Sequence, residues 1–312
     1  MILDCAVIGG GPAGLNASLV LGRARRKVIL FDDNRPRNAV TSESHGFITR
    51  DGIDPQELKR IAQAELRKYP DVRIEKQRVL EIQKNEKQFQ ITMEDGNIYQ
   101  AKKVILATGF KEIMPDVKRV AEFYGTSLFS CPYCDGWELR DQPLAVISEN
   151  PHAFHMAKIV SNWTDDVIVC TNGRPILSQE EKEILARKHI HVYEEKILSL
   201  IGEGGALEKI AFVDGTVVKR SGGFITPEWK QSSPFAFSLG CAMNERGGID
   251  VDQMKQTTIS GVFACGDTLM AGPSQLIIAA GEGSMAGAAV NAALVEKSFA
   301  EHNKGEKIDA SS

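Results

Sequence analysis

The sequence predicts an α/β protein made of two three-layer domains, the second inserted into the first. A glycine-rich turn follows an apolar segment near residue 9, a second strand–helix–strand pattern lies mid-chain, and a similar apolar strand returns at Gly261–Asp267. The length of 312 residues allows two domains that each bury a core. We place the first domain at 1–116 and 241–312 and the inserted domain at 117–240.

Composition and charge narrow the classes of function. Hydrophobic residues make up 43% and charged residues 25%, as in ordinary globular proteins. A net charge of -4 gives no electrostatic case for binding nucleic acid or an anionic membrane. The first residues lack the basic segment of a signal peptide, and Glu282, Asn291 and several glycines interrupt the apolar stretch Leu276–Val295. We therefore expect a cytoplasmic protein without a membrane span.

The first motif is Gly9-Gly10-Gly11-Pro12-Ala13-Gly14, which fits the pattern G-x-G-x-x-G. A predicted buried strand precedes it, a helix follows, and the next strand ends at Asp32. In this arrangement the first glycine makes the turn, the second lets the backbone approach a pyrophosphate, and the third allows close helix–strand packing. The pyrophosphate then lies at the helix N-terminus, and Asp32 accepts hydrogen bonds from ribose hydroxyls. The motif predicts a Rossmann-like dinucleotide site.

The remaining elements follow in order. A polar loop covers residues 33–51 and precedes a helix over 55–68. Predicted strands and helices of the two domains lie at 72–82, 89–93, 104–110, 143–147, 153–160, 166–170, 180–188, 191–193, 208–212 and 223–226. The mid-chain part alternates strands and helices, so we expect a second Rossmann-like unit there.

The second motif is Cys131-Pro132-Tyr133-Cys134-Asp135-Gly136. Two cysteines separated by two residues can form a redox-active disulfide with one thiol of lowered pKa, and Asp135 places an acid/base group beside them. A zinc half-site would need a second ligand pair, but the other cysteines stand singly, so we predict no metal. A glutaredoxin-type domain also uses this spacing, although there the motif belongs to a short domain. We favour a redox dithiol that serves a bound cofactor.

Together these motifs resemble the low-molecular-weight thioredoxin reductase family of flavoproteins. The similarity covers nearly the whole chain and rests on the first glycine motif, Ala107-Thr108-Gly109, the C-x-x-C-D-G motif and Gly261-Val262-Phe263-Ala264-Cys265-Gly266-Asp267. It implies a homodimer with FAD in the split domain and the cysteine pair on the inserted domain. It also implies that Cys134 faces the flavin, Cys131 exchanges with the external disulfide and Asp135 is the acid/base.

The same resemblance implies which residues bind the cofactor. Asp267 is expected near the ribityl chain, and the helix after Gln275 is expected to point its N-terminus at the flavin. His45 has two interpretations, a proton relay at the flavin edge or a solvated loop histidine. The full predicted cofactor-binding set is Gly9, Gly11, Pro12, Ala13, Gly14, Asp32, Asp33, Asn38, His45, Thr108, Gly109, Gly266, Asp267, Ser274 and Gln275.

One feature departs from that family. Its inserted domain binds NADPH through a second glycine-rich turn, but here the corresponding segment is Ser148-Glu149-Asn150-Pro151-His152-Ala153, which lacks both required glycines. Glu149 adds negative charge, and Pro151 lacks an N–H that would bind phosphate. The next strand ends in Thr171-Asn172-Gly173, where the family keeps basic residues. These changes predict loss of the nicotinamide site.

With this change, the chain resembles a subgroup of the family whose members have no pyridine-nucleotide site. It contains flavin dithiol oxidases of the gliotoxin and holomycin type, which use oxygen, and reductases that take electrons from ferredoxin. The oxidases tend to have histidine immediately after C-x-x-C, whereas this chain has Asp135, as thioredoxin reductases do. The oxidase assignment therefore conflicts with this one residue.

The sequence thus predicts an FAD-dependent dithiol/disulfide oxidoreductase. Its substrate is expected to be a thioredoxin-like protein or a small dithiol. The expected electron partner is oxygen or ferredoxin, with NADPH less favoured. The alternatives are an NADPH-dependent thioredoxin reductase with a divergent nucleotide site and a non-catalytic flavin redox sensor.

Overall fold

The structure, a computed structural model, describes residues 2–86 and 88–309, with side chains up to residue 300. The chain divides into two compact units. Unit 1 comprises Met1–Arg37, Gln56–Lys111 and Gln231–Ser312, and unit 2 comprises Asn38–Pro55 and Glu112–Lys230. These units differ from the domains that we placed by sequence chiefly because the loop at 38–55 groups with unit 2.

Unit 1 contains one large sheet with helices around it. Its strands are β1 (Ile2–Ile8), β2 (Val28–Phe31), β3 (Val72–Glu75), β4 (Val79–Lys84), β5 (Phe89–Met93), β6 (Ile98–Leu106) and β17 (Val262–Ala264). Its helices are α1 (Pro12–Arg23), α2 (Pro55–Leu66), α7 (Phe235–Ser238) and α8 (Leu276–Asp309), and a 3-10 turn lies at Gly266–Leu269. A second 3-10 turn, at Arg37–Val40, begins at the last residue of the first segment of this unit. The segments β7 (Phe110–Ile113) and β16 (Glu228–Gln231) pair with each other where the chain leaves and re-enters this unit.

The sheet of unit 1 has the strand order β3-β2-β1-β6-β5-β4, and β17 pairs with β6. Strands β1, β2, β3 and β17 pair in parallel, whereas β4 and β5 are antiparallel. The predicted single strand over 72–82 is therefore two strands, because its first part pairs with β2 and its second part with β5. Strand β6 also begins earlier than predicted, since its polar first half pairs with β5.

Two apolar clusters cover the faces of this sheet. One contains Val7, Leu21, Leu30 and Val290, from β1, β2, α1 and α8, and the other contains Phe31, Ile91 and Phe235. Helix α8 approaches α1 closely through small residues, because a Cβ on Gly283 would lie 2.0 Å from the Ala13 carbonyl oxygen. The segment Leu276–Ala300 of α8 is long and apolar enough to span a membrane, judged by length and composition alone. The close packing of α8 against α1 requires small residues in this segment, such as Gly283.

Unit 2 has a five-stranded parallel sheet and a three-stranded antiparallel sheet. The first has the order β11-β10-β9-β15-β8 and the second β12-β13-β14. The strands are β8 (Leu128–Phe129), β9 (Leu144–Ser148), β10 (Val167–Cys170), β11 (His191–Tyr193), β12 (Ile197–Glu203), β13 (Ala206–Phe212), β14 (Val217–Lys219) and β15 (Gly222–Thr226). The helices are α3 (Val120–Phe123), α4 (Pro132–Asp135), α5 (His152–Val160) and α6 (Gln179–Arg187).

Both units therefore carry the strand–turn–helix–strand arrangement that the sequence predicted, and the predicted α/β class is confirmed. The strands at the centre of each sheet are buried along their length, as expected for parallel strands covered on both faces. Each parallel sheet brings the carboxyl ends of its strands to one edge, where ligands bind in open α/β folds.

Candidate functional site

The glycine turn of unit 1 joins β1 to α1. Gly9 has φ +112, and a Cβ there would lie 2.2 Å from the Ala107 carbonyl oxygen. A Cβ on Gly14 would lie 1.9 Å from the Gly9 carbonyl oxygen, so the fold itself requires both glycines. A Cβ on Gly11, by contrast, would meet no described atom within 4 Å. The first turn of α1, which begins at Pro12, therefore lies beside open space at Gly11.

Asp32 lies at the end of β2 next to this turn. Its side chain is buried, and its Oδ2 lies 2.6 Å from Lys59 Nζ while its Oδ1 accepts a 3.0 Å hydrogen bond from the Asn34 backbone N–H. A Cβ on Gly10 would collide with this carboxyl group, so a bare backbone is needed there as well. Lys59 lies on α2 and was not among the predicted site residues. Asp33 is exposed.

A second polar group of unit 1 surrounds Asp267. The Asp267 Oδ2 atom accepts hydrogen bonds from Ser274 Oγ at 2.5 Å and from Arg37 Nη2 at 3.1 Å. Arg37 also hydrogen-bonds Ser274, and its guanidinium lies 4.6 Å from the centre of the Phe110 ring. Arg37 was missed by the sequence analysis, because only the fold brings residue 37 to residue 267.

The other predicted residues of unit 1 follow the carboxyl ends of β6 and β17 or precede α8. Gly266 has φ +76, and its N–H donates to Glu282 Oε2 at 2.7 Å. Thr108 Oγ1 accepts a 3.1 Å hydrogen bond from Ser233 Oγ, and the Gly109 carbonyl accepts one from Ser232 Oγ at 2.9 Å. Gln275 immediately precedes α8. Two predicted cofactor residues, Asn38 and His45, belong instead to unit 2.

Cys131 and Cys134 form a disulfide in unit 2, with Cα atoms 5.3 Å apart. Cys131 precedes α4, and its carbonyl oxygen accepts hydrogen bonds from the N–H groups of Cys134 and Asp135, each at 3.1 Å. Gly136 is packed so tightly that a Cβ there would lie 2.8 Å from the Trp163 ring. These contacts fix the motif against the body of unit 2.

The remaining cysteines are buried single thiols. Burial raises the pKa of Cys170 to about 12 and raises the pKa of Cys5, Cys241 and Cys265 as well. A thiol with a raised pKa is a poor nucleophile near neutral pH. Among the described residues no group of His, Cys, Asp and Glu side chains is arranged to hold a metal ion.

Asp135 is the carboxyl group that follows the disulfide directly in sequence. Burial raises its pKa to about 7, the positive charge of His45 lowers it, and the negative charge of Glu138 raises it. A carboxyl group with this pKa exchanges its proton readily near neutral pH. The His45 ring lies near three carboxylates, at 3.5 Å from Glu43, 3.6 Å from Asp51 and 3.7 Å from Glu138.

The second turn, between β9 and α5, is filled by its own side chains. Glu149 accepts hydrogen bonds from Asn172 Nδ2 at 2.6 Å and from the Asp116 backbone N–H at 3.3 Å. Asn150 Oδ1 accepts one from the His152 N–H at 3.1 Å, which satisfies an N–H in the first turn of α5. Ser148 Oγ donates to the Asn150 carbonyl oxygen at 2.9 Å. Side chains thus occupy the positions where a phosphate would need bare backbone.

At the end of β10, too, a side chain makes hydrogen bonds to neighbouring groups of the protein. Asn172 has a left-handed backbone with φ +50, and its Oδ1 accepts a 2.9 Å hydrogen bond from the Ile197 N–H. Arg174, the cation nearest in sequence, is exposed. Thr171 Oγ1 is buried and has no hydrogen-bond partner within the described part of the chain.

Comparison with known proteins supports the resemblance drawn from the motifs. Residues 3–283 match the family described as pyridine nucleotide-disulphide oxidoreductase. A probable thioredoxin reductase of Arthroderma benhamiae is 31% identical over 300 residues, covering 85% of this chain and 73% of that protein. A putative thioredoxin reductase structure from Bacillus anthracis shares 48% identity with a TM-score of 0.92, covering 95% of this chain and all of that chain (100%).

The structure of HlmI shares 32% identity with a TM-score of 0.93, covering 99% of this chain and 98% of that one. These likenesses cover the residues of both units, so they concern nearly the whole chain and not one motif. The family and its thioredoxin reductase members imply a flavin cofactor and a thioredoxin or other disulfide as substrate. The chain therefore belongs to the pyridine nucleotide-disulphide oxidoreductase family, as a thioredoxin reductase-like flavoprotein that acts on disulfides.

Proposed function

We propose that the protein is an FAD-dependent dithiol/disulfide oxidoreductase that does not use NADPH directly. It exchanges electrons between an external thiol pair, on a thioredoxin-like protein or a small dithiol, and the Cys131–Cys134 pair. One observation carries the proposal: unit 2 bears the disulfide, while Glu149 fills the nucleotide turn of the same unit. Oxygen or ferredoxin is the proposed electron partner.

FAD fits the open turn of unit 1. The pyrophosphate requires exposed N–H groups and space, both of which lie at Gly11 and the first turn of α1. Asp32 is suited to the adenosine ribose hydroxyls, and the Asp267 carboxylate is suited to the ribityl hydroxyls. Arg37 adds a positive charge beside Asp267. When bound, FAD supplies a two-electron carrier for the cysteine pair.

The thiol steps follow from the chain's own residues. A substrate thiolate attacks one sulfur of the disulfide, so that a mixed disulfide forms and the other cysteine leaves as a thiolate. The second substrate thiol then attacks the mixed disulfide and releases the substrate as a disulfide. Asp135, whose pKa is about 7, accepts the proton of the incoming thiol and returns a proton to a leaving sulfur.

The absence of direct NADPH use rests on charge and hydrogen bonding. A pyrophosphate at the second turn would lie against the Glu149 carboxylate and would have to displace its hydrogen bonds to Asn172 and Asp116. A 2′-phosphate at the end of β10 would meet the neutral residues Thr171 and Asn172. Phosphate binding depends on charge-assisted hydrogen bonds, which these residues do not offer.

The test is anaerobic stopped-flow mixing of the purified protein with NADPH, NADH, reduced ferredoxin or a dithiol. We expect the dithiol to bleach the flavin within one turnover time and NADPH to bleach it at least about 100-fold more slowly, because NADPH is not held in place for hydride transfer. The control is Cys131→Ser, which cannot form the disulfide with Cys134. The dithiol should not bleach the flavin of this variant.

Other outcomes separate the alternatives. Fast bleaching by NADPH would favour an NADPH-dependent thioredoxin reductase. A flavin that is reduced once by a dithiol, without further turnover in the presence of oxygen or oxidised ferredoxin, would favour a redox sensor.

A further inference from the structure

We propose that His45 is a positioning and proton-relay residue for the disulfide reaction, which passes protons between Asp135 and the surface carboxylates Glu43, Asp51 and Glu138. The proposal rests on the thiol/disulfide function proposed above and deepens it. Asp135 by itself is a partly buried acid that must exchange a proton in every cycle.

The three carboxylates around His45 are all more exposed than its ring, and one of them, Glu138, lies three residues after Asp135 in sequence. The His45 side chain is only 15% exposed, whereas those of Glu43, Asp51 and Glu138 are 57%, 71% and 39% exposed. Glu43 and Glu138 face Nε2, and Asp51 faces Nδ1. Both ring nitrogens therefore have an acidic neighbour in contact with water. Such an imidazole can accept a proton on one side and release one on the other.

The loop that carries His45 is closed by its own hydrogen bonds. Ser44 N–H donates to the Ile53 carbonyl at 2.8 Å, and Gly52 N–H donates to the Ser44 carbonyl at 3.0 Å. Asp51 Oδ1 also accepts a 2.8 Å hydrogen bond from the Gly46 N–H. These bonds hold the histidine in a defined place and do not leave it on a free loop.

The loop also packs against the body of unit 2. A Cβ on Gly125, whose φ is +87, would lie 2.3 Å from the Val40 carbonyl oxygen. Such close backbone packing explains why residues 38–55 group with the unit that carries the disulfide. The loop therefore belongs structurally to the redox motif, although almost ninety residues separate His45 from Asp135 in sequence.

Electrostatics couple the two groups. Burial is the main cause that raises the Asp135 pKa to about 7, and the charges that act on it come from His45, which lowers it, and Glu138, which raises it. The imidazolium charge therefore favours the carboxylate form of Asp135. Without that charge the Asp135 pKa should rise further, and the base form needed to accept a thiol proton should become scarcer at neutral pH.

The proton balance requires such an outlet. Oxidation of a dithiol by the Cys131–Cys134 disulfide breaks that S–S bond, forms one in the substrate, and transfers two electrons to the cysteine pair. When the reduced pair is left as one thiol and one thiolate, one of the two substrate protons remains on the pair and the other must leave. We assign that second proton to Asp135 first. The His45 imidazolium releases a proton to an exposed carboxylate, which delivers it to water, and the ring nitrogen that has lost its proton then accepts the one held by Asp135. The reverse reaction uses the same path inward.

The test compares His45→Gln with the wild-type protein in a dithiol oxidation assay across pH. Glutamine keeps a polar side chain but cannot carry the proton. We expect kcat to fall at least about tenfold, within the usual range for loss of an acid/base group. The rate depends on unprotonated Asp135, so it rises with pH through the Asp135 pKa. In the variant this rise should move to higher pH by roughly 0.5 to 1 unit, because the imidazolium charge is lost.

His155→Gln is the matched control, because His155 is an exposed histidine on α5 of the same unit. It should keep the wild-type kcat and pH profile. Flavin content and the thermal unfolding midpoint are measured for all three proteins. Unchanged kcat in His45→Gln would overturn the proposal. A fall in kcat without a shift of the pH profile would also overturn it, because a purely structural role would produce that result.

A second measurement does not depend on turnover. The Asp135 carboxyl is titrated by ¹³C NMR in wild-type and His45→Gln protein, with Asp135→Asn identifying the signal. The coupling predicts a higher midpoint in the variant, and an equal or lower midpoint refutes it. If the wild-type protein oxidises no dithiol and reduces no disulfide, the proposed function fails, and this midpoint alone decides whether His45 acts on Asp135.

Discussion

The two strand–turn–helix segments of this protein share a backbone plan and differ in what fills the turn. In unit 1 the turn between β1 and α1 is made of glycines, and the space at Gly11 is open. In unit 2 the turn between β9 and α5 holds Ser148, Glu149 and Asn150, whose side chains bond the neighbouring backbone. A nucleotide-binding scaffold can therefore persist without its ligand contacts, because side chains can satisfy the same backbone groups.

The ends of the second strands show the same contrast. After β2 of unit 1, buried Asp32 pairs with Lys59 at 2.6 Å and keeps its carboxylate at the turn. After β10 of unit 2, Asn172 turns inward to bond Glu149 and the Ile197 N–H. The end of β2 thus presents an acceptor suited to ribose hydroxyls. At the end of β10 the side chain makes its hydrogen bonds within the protein. This contrast can be tested by substitutions that alter one turn at a time.

The largest effect is expected at Gly11. Gly11→Val should reduce the bound flavin to less than about a tenth of the wild-type content, because the branched side chain occupies the space that the pyrophosphate needs. The fold should be retained, since a Cβ at this position meets no described atom within 4 Å. Flavin absorbance and far-ultraviolet circular dichroism measure the two effects separately.

Gly281→Val is a matched control, because Gly281 is exposed on α8 and a Cβ there also meets no described atom within 4 Å. It should retain flavin. Gly14→Ala should instead damage folding, since its Cβ would collide with the Gly9 carbonyl oxygen. Full flavin content in Gly11→Val would show that the open turn is not the cofactor site and would remove the contrast between the units.

A smaller effect is expected at Glu149. Glu149→Ala removes the acceptor for Asn172 Nδ2 and for the Asp116 N–H, so it should lower the free energy of unfolding by about 1–2 kcal/mol. Chemical denaturation measures the change. The exposed Glu195→Ala in the same unit should have little effect. If Glu149→Ala is as stable as wild type and NADPH now bleaches its flavin rapidly, Glu149 blocks a site that is otherwise intact.

The smallest effect is expected at Thr171. Its buried hydroxyl has no hydrogen-bond partner within the described part of the chain, so Thr171→Val should raise the free energy of unfolding by about 0.5–1 kcal/mol. Thr164→Val is the contrasting variant, because Thr164 Oγ1 donates a 2.7 Å hydrogen bond to the Gln142 carbonyl, and it should be destabilised. A loss of stability in Thr171→Val would mean that the hydroxyl has a partner in solution, such as a ligand or bound water.

Much of the fold follows from local features of the sequence. The glycine spacing at 9–14, the apolar strands around it and the Cys131–Cys134 spacing depend on residues only a few positions apart. Steric limits on φ and the period of buried residues act over that range, so pattern and spacing predict them. The break between β3 and β4 was missed, because it depends on which distant strand each half pairs with.

The pairs that complete the candidate sites depend on tertiary structure. Arg37 meets Asp267, Lys59 meets Asp32, and Glu149 meets Asn172, and no sequence pattern links the members of these pairs. The placement of His45 among three carboxylates is of the same kind. The sequence by itself determined the α/β class, the glycine turn and the paired cysteines, because these are set by neighbouring residues. Only the tertiary structure decided which charges face each other, because ion pairs and burial join residues that are brought together by the folding of the whole chain.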